Sequence, residues 1–214
     1  MLFSYSIKIK NNRHEVTHIF LHSLSVVVVV LGLLCLSACS SVSSTPPVLS
    51  PLLSQQQPIN STAAEDNAHL GLMYLQAGDR QLAKEKLLLA LQQDSQNSEI
   101  YGAMAYFLES SGELQSAEQY YLQAIAVAKA KDKGASYNNY GTYLYRHGRY
   151  SMAINYFLMA AQEPLYLHVA AAYENAGLTA LSTKDIANAR IYFKKALAND
   201  PNRELARRSL AKLG

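Results

Sequence analysis

The sequence predicts an all-α, right-handed superhelical solenoid of four antiparallel helix pairs, closed by one further helix. Three observations predict it. A small–large–small triad recurs at offsets of four and three residues: Ala83, Leu87, Ala90; Ala117, Tyr121, Ala124; Ala153, Phe157, Ala160; and Ala189, Phe193, Ala196. Those offsets place each triad on one helical face. Twelve residues ahead of each triad stands a small residue (Gly71, Ala105, Gly141, Gly177), where a second helix can approach closely, and four residues before it stand Asn67, Tyr101, Tyr137 and Tyr173. Finally, successive triads begin 34, 36 and 36 residues apart, a register that an unrelated amphipathic bundle has no reason to keep.

Taken together these are the marks of the tetratricopeptide repeat (TPR). The repeats are placed at 64–97, 98–131, 134–167 and 170–203. Gly78-Asp79, Gly112-Glu113 and Gly148-Arg149 supply the turns between helices in the first three. The first repeat is the weakest by motif, with Asn67 at its opening position and Asp94-Ser95 without proline at its end. The fourth ends in Asp200-Pro201, a helix stop. Residues 204–214, with Arg207, Arg208 and Lys212, read as a capping helix over the apolar end of the stack. Stacking buries a continuous core without metal or disulfide.

Composition narrows the function. Of 214 residues half are apolar, 15 are Tyr and none is Trp. Three of the 19 Lys/Arg and one of the 16 acids precede residue 39, so the remainder is almost neutral. That leaves no clustered basic face for nucleic acid. Cys35 and Cys39 are the only cysteines, which excludes a disulfide framework or a cysteine zinc site downstream.

The N-terminal segment reads as an address. Lys8, Lys10 and Arg13 lead into an apolar run, Val26 to Leu36, of 11 residues. A span of the bilayer needs about 20, so the run fits a signal peptide, residues 1–38. Leu36-Ser37-Ala38-Cys39 resembles the bacterial lipobox, which implies cleavage after Ala38 and lipid on Cys39. Several acyl chains would hold such a protein firmly at a membrane. Ser40 rather than Asp after the cysteine resembles the outer-membrane sorting rule of Gram-negative lipoproteins. Residues 39–63, rich in Ser, Pro and Gln, then form a flexible tether.

Within this segment His14-Glu15-Val16-Thr17-His18 spells H-E-x-x-H, the zinc-peptidase signature. A zinc peptidase needs a third ligand in a folded cleft. His22 follows, but the extended motif requires Gly at 21 and His at 24, where Leu21 and Leu24 stand, and no acid occurs between Glu15 and Glu65. The stretch reads as the polar lead-in of the signal peptide. No metal or cofactor is expected besides the covalent lipid on Cys39.

In a TPR superhelix the first helices line a concave groove. The inward positions select His69 and Leu72 in repeat one, Tyr106 in repeat two, and Asn138, Asn139, Thr142, Tyr145 and Arg146 in repeat three. Repeat four supplies Glu174, Asn175 and Leu178. Amides beside aromatics suit an extended or helical peptide, because amides pair with its backbone while rings give contact area. His69, His147 and His168 lie apart in sequence with no neighbour to orient a base, and phosphate loops and G-x-S-x-G elbows are missing. The expectation is a binding protein, not an enzyme.

At repeats three and four the pattern becomes more particular. Asn138-Asn139-Tyr140-Gly141, Gly148-Arg149-Tyr150, Glu163 to Tyr166 and Asn175-Ala176-Gly177-Leu178 resemble the type IV pilus biogenesis/stability proteins of the PilF/PilW family. The resemblance implies an outer-membrane TPR lipoprotein of a Gram-negative bacterium with its repeats in the periplasm. It further implies a pilotin-like role, binding the pilus secretin or another pilus component and aiding its targeting and assembly. Tyr145 and Thr179 stand where many relatives carry cysteines, so a disulfide joining those repeats is lost here. Relatives also tend to continue through further C-terminal repeats. The alternative is a generic envelope TPR scaffold that recruits cell-wall enzymes. Either way the partner is a protein, with no nucleic acid and no small-molecule substrate.

Overall fold

Short polar side chains open four of the helices. Asn60 accepts from the Ala63 amide (3.2 Å), Asp79 from Leu82 (3.0 Å), Asn97 from Glu99 (2.9 Å) and Asp185 from Asn188 (3.1 Å). Each satisfies an amide that the first turn leaves without a partner. The computed structural model describes residues 60–214. In order the helices are α1 (Ser61–Gln76), α2 (Arg80–Gln93), α3 (Ser98–Ser110), α4 (Leu114–Val127), α5 (Ala130–Arg146), α6 (Tyr150–Gln162), α7 (Val169–Ser182), α8 (Ile186–Asn199) and α9 (Glu204–Lys212). The signal peptide, Ala38, Cys39, the HEVTH motif and the tether up to residue 59 lie outside the described residues.

Consecutive helices pair, α1 with α2 through α7 with α8, and each pair packs on the next. The fold is an all-α repeat solenoid. Two starts differ by more than one residue from the sequence reading. The helix α1 begins at Ser61 rather than 64, because Asn60 caps it. The helix α5 begins at Ala130 rather than 134, with Asp132 in its first turn, where a carboxylate favours the positive end of the helix dipole.

The triads form the core. Ala83, Leu87, Ala90 and their equivalents are all buried. A Cβ on Gly71 would lie 2.7 Å from Leu87 Cγ, one on Gly141 2.8 Å from Phe157 Cε1, and one on Gly177 2.7 Å from Phe193 Cε1. In these three repeats the large triad residue occupies space that only glycine leaves free; Ala105 takes that position over Tyr121 in the second. Gly134, one turn inside α5, is pressed in the same way by the Tyr166 ring from the α6–α7 connection.

The opening tyrosines Tyr101 and Tyr137 each meet a ring of their own pair, and Tyr137 also joins a cluster with Ile125 of the preceding pair and Ala172 of the next. Tyr101 packs on Tyr120 and Tyr137 on Tyr156, both within one pair, at 6.0 Å between ring centroids. Ring contacts between repeats two and three come from Tyr121 with Tyr143 (5.1 Å) and with Tyr140 (6.2 Å). In repeat one Asn67 replaces the aromatic with hydrogen bonds to Ala63 O and Gln93 Oε1, both 2.9 Å.

One turn is locally unfavourable. Gly78, Gly112 and Gly148 adopt φ of 84°, 79° and 73°, and the matching turn of repeat four places Lys184 at φ 60°. A side chain there costs about 1 kcal/mol or more, partly offset by glycine's larger unfolded-state entropy. Lys184→Gly is therefore expected to raise the melting temperature by about 2 °C; thermal unfolding followed by circular dichroism checks this, and a fall would contradict it.

The last helix is capped in trans. Arg203 cannot close the first turn of α9 with its own side chain, and Glu174 of α7 does so instead. Its Oε2 accepts the Ala206 amide at 3.0 Å while Oε1 pairs with Arg203. Ala206 is buried, and Leu210 and Leu213 pack on the apolar cluster around Phe193.

Candidate functional site

The first helices α1, α3, α5 and α7 each touch the next, whereas the second helices α2, α4, α6 and α8 do not touch one another. A stack in contact along one side only must curve toward that side, so the first helices form the inner face. On it, between α3 and α5, lies a recess of about 370 Å3. Leu72 of α1 borders it, and α3 contributes Glu99, Gly102, Ala103 and Tyr106. From α5 come Ala135, Asn139, Thr142 and Arg146. The volume is at the lower end of what ligand pockets enclose.

Tyr106 is 47% exposed, an aromatic residue held open to solvent. Asn139 is exposed as well, and its side chain has no hydrogen-bond partner among the described residues. Thr142 donates to the carbonyl of Asn138 at 2.9 Å and is half-buried.

Arg146 lines the recess with its charge already matched. Its Nε and Nη2 donate to Glu109 Oε1 and Oε2 at 2.8 and 2.6 Å, a bidentate pair, and its Cζ lies 6.0 Å from the centre of the Tyr106 ring. Glu109 also accepts from Tyr121 Oη at 3.1 Å and lies 3.0 Å from His147 Nε2. Burial alone would raise the Glu109 pKa, but the hydrogen bonds and charge of Arg146 outweigh it and hold the carboxyl below its ordinary value. Burial, together with the Glu109 charge, pushes the Tyr121 hydroxyl upward, keeping it a neutral donor. Glu118 repeats the device nearby, taking hydrogen bonds from Tyr140 and Arg149 (2.6 Å), and its pKa is likewise lowered against the opposing effect of burial. Two carboxylates of repeat two thus fasten repeat three.

Of the residues selected from sequence, the structure brings together Leu72, Tyr106, Asn139, Thr142 and Arg146. The others fall elsewhere. His69 is exposed on α1 outside the recess. Asn138 and Asn175 pair with each other, Nδ2 of Asn175 donating to Oδ1 of Asn138 at 3.0 Å. The Tyr145 hydroxyl is 3.4 Å from Ser182 Oγ, and Leu178 packs on the cluster of repeat four. Glu174 is the clearest difference: it is 5% exposed and committed to α9, because its carboxylate caps that helix where it packs against α7. His147, isolated in sequence, has a carboxylate beside it in space, but one shared with Arg146 and Tyr121 in a structural cluster.

Sequence reasoning missed Gly102, Ala103 and Ala135, the small residues that make the recess possible, and the anchor Glu109. Contacts across the inner face recur at a separation of 37 residues, as in Glu109–Arg146, Asn138–Asn175 and Tyr145–Ser182. An opposite-charge pair at about one repeat length was therefore a usable signal for Glu109.

A curved stack of helix pairs with an open recess on its inner face defines a TPR solenoid protein, and the tetratricopeptide repeat family matches residues 98–131 and 170–203. The type IV pilus assembly protein PilF of Pseudomonas aeruginosa is 34% identical over 152 residues, covering 69% of this chain and 60% of the relative. The solved structure of Pseudomonas aeruginosa PilF superposes with a TM-score of 0.63 at 33% identity, covering 71% of this chain and 68% of that one. The structure of PilW, a widely conserved type IV pilus biogenesis factor, gives a TM-score of 0.62 at 24% identity, with 72% and 70% covered, which speaks to the fold. The chain belongs to the PilF family of TPR proteins of type IV pilus biogenesis. It spans 60% of the curated PilF relative's length.

Proposed function

We propose that this protein is a non-enzymatic, pilotin-like TPR lipoprotein that binds the type IV pilus secretin, or another pilus component, through the recess between α3 and α5. The single observation that carries the reading is that recess, with an exposed tyrosine and an exposed amide on the inner face of a PilF-family solenoid. Lipid on Cys39 anchors the protein at the outer membrane, and the segment before α1 gives the repeats reach into the periplasm. The anchor raises the local concentration of the repeats at the surface where a secretin ring must assemble, so moderate affinity at the recess suffices.

Deleting the gene is expected to abolish heat-stable secretin multimers in the envelope; their retention at normal levels sinks the pilotin role. Cys39→Ala should lose metabolic labelling with palmitate and accumulate as uncleaved precursor. Normal labelling of that variant removes the anchor from the account.

A further inference from the structure

Five glycines lie inside the described helices, and four have a packing reason. A Cβ at Gly71, Gly134, Gly141 or Gly177 would meet a neighbouring side chain closer than real Cβ atoms come. Gly102 is different. A Cβ there would meet only the Asn139 amide, at 3.8 Å, an ordinary contact, and its backbone is helical, so no turn requires glycine. A glycine in a helix interior lowers helix stability. Among the described residues neither packing nor backbone conformation accounts for this one. Its position does: Gly102 forms the floor of the recess, between Tyr106 one turn along α3 and Asn139 across on α5.

We infer that Gly102 is a ligand-contact position, left bare so that the main chain of an extended peptide can lie directly against α3. This deepens the reading above and rests on it for the recess being a binding site. The surroundings specify the peptide. Asn139 offers one donor group and one acceptor, the complement of a peptide unit's C=O and N–H. Tyr106 and Leu72 supply a wall for one apolar side chain. The cation in the recess, Arg146, is held bidentately by Glu109, whereas the Glu99 carboxylate at the rim is exposed. The site therefore suits a neutral or basic segment with an apolar residue, and has no free charge to clamp an acidic peptide or a C-terminal carboxylate.

The test separates the contributions to stability and binding. Random 12-residue peptides displayed on phage are selected on the full chain, and the tightest binder becomes the probe. Enriched sequences are expected to carry an apolar residue and no net negative charge. Gly102→Ala should raise the melting temperature by about 2 °C while weakening the probe tenfold or more; Asn139→Ala should weaken it similarly with the melting temperature unchanged. Gly102→Leu, which fills the floor, should abolish binding. Enrichment of nothing, of acidic peptides, or of peptides that bind Gly102→Ala as tightly as wild type overturns the inference. Peptides that behave as expected, in a cell whose secretin multimers form without this protein, leave the inference standing and remove the pilotin reading instead.

Discussion

Phe157→Ala is expected to lower stability by about 3–5 kcal/mol. The ring is buried at the centre of repeat three, with Ala153 and Ala160 on either side and Gly141 pressed against its edge. Glycine leaves that space for this ring alone. The cavity cannot collapse, because α5 and α6 are held apart by Tyr137 on Tyr156 and by Tyr140 on Tyr156 at 4.7 Å. The loss is a large share of the roughly 5–15 kcal/mol that keeps a domain folded. It corresponds to a fall in melting temperature on the order of 10 °C. Because repeats gain stability from their neighbours, unfolding should also broaden, with repeats one and two separating from repeat four. A fall of less than 3 °C with an unbroadened transition contradicts this packing account.

The second large effect is expected at Glu109. Glu109→Ala removes one carboxylate that engages Tyr121 of α4, Arg146 of α5 and His147, which caps the end of α5. Losing a charged hydrogen-bond partner costs about 2 kcal/mol when the remaining groups stay partly buried. The cost stays near that figure because the Arg146 side chain is 40% exposed and regains water. The pH dependence has a definite sign. The folded-state pKa of Glu109 lies below its ordinary value of 4.5, so its contribution is full above that value and disappears as pH falls through the folded pKa. Wild type should therefore be the more stable at pH 7, and the two proteins should converge on acidification below about pH 4.5. Equal melting temperatures at pH 7, or a difference that persists unchanged in acid, would count against the Arg146–Glu109 staple. A freed Arg146 also leaves the Tyr106 face, so peptide binding should change with it.

The repeat architecture was legible because it is local. Offsets of four and three within one helix, and a small residue 12 positions before, are set by two helices meeting and leave a mark on the sequence itself. The helix starts at Ser61 and Ala130 were less so, since they depend on one cap and on the short link Ala128-Lys129. The recess was half legible. Leu72, Tyr106, Asn139, Thr142 and Arg146 follow from helical phase, but phase cannot tell an open side chain from an engaged one. Asn138 and Asn175 share a hydrogen bond, and Glu174 is withdrawn by a helix that lies beyond the repeats. Gly102 carried a signal that pattern reading discards, a helical glycine outside the triad scheme; only the geometry shows that no neighbour among the described residues crowds it.

The most direct test of the central claim places the photo-crosslinker p-benzoylphenylalanine at Tyr106 in living, piliated cells. The control carries it at Leu122, exposed on the second helix α4. The account predicts an adduct with the pilus secretin or another pilus component from position 106, lost when Gly102→Leu is added, and little from position 122. An adduct with that component from position 122 alone, or no pilus component captured from the recess, would contradict it.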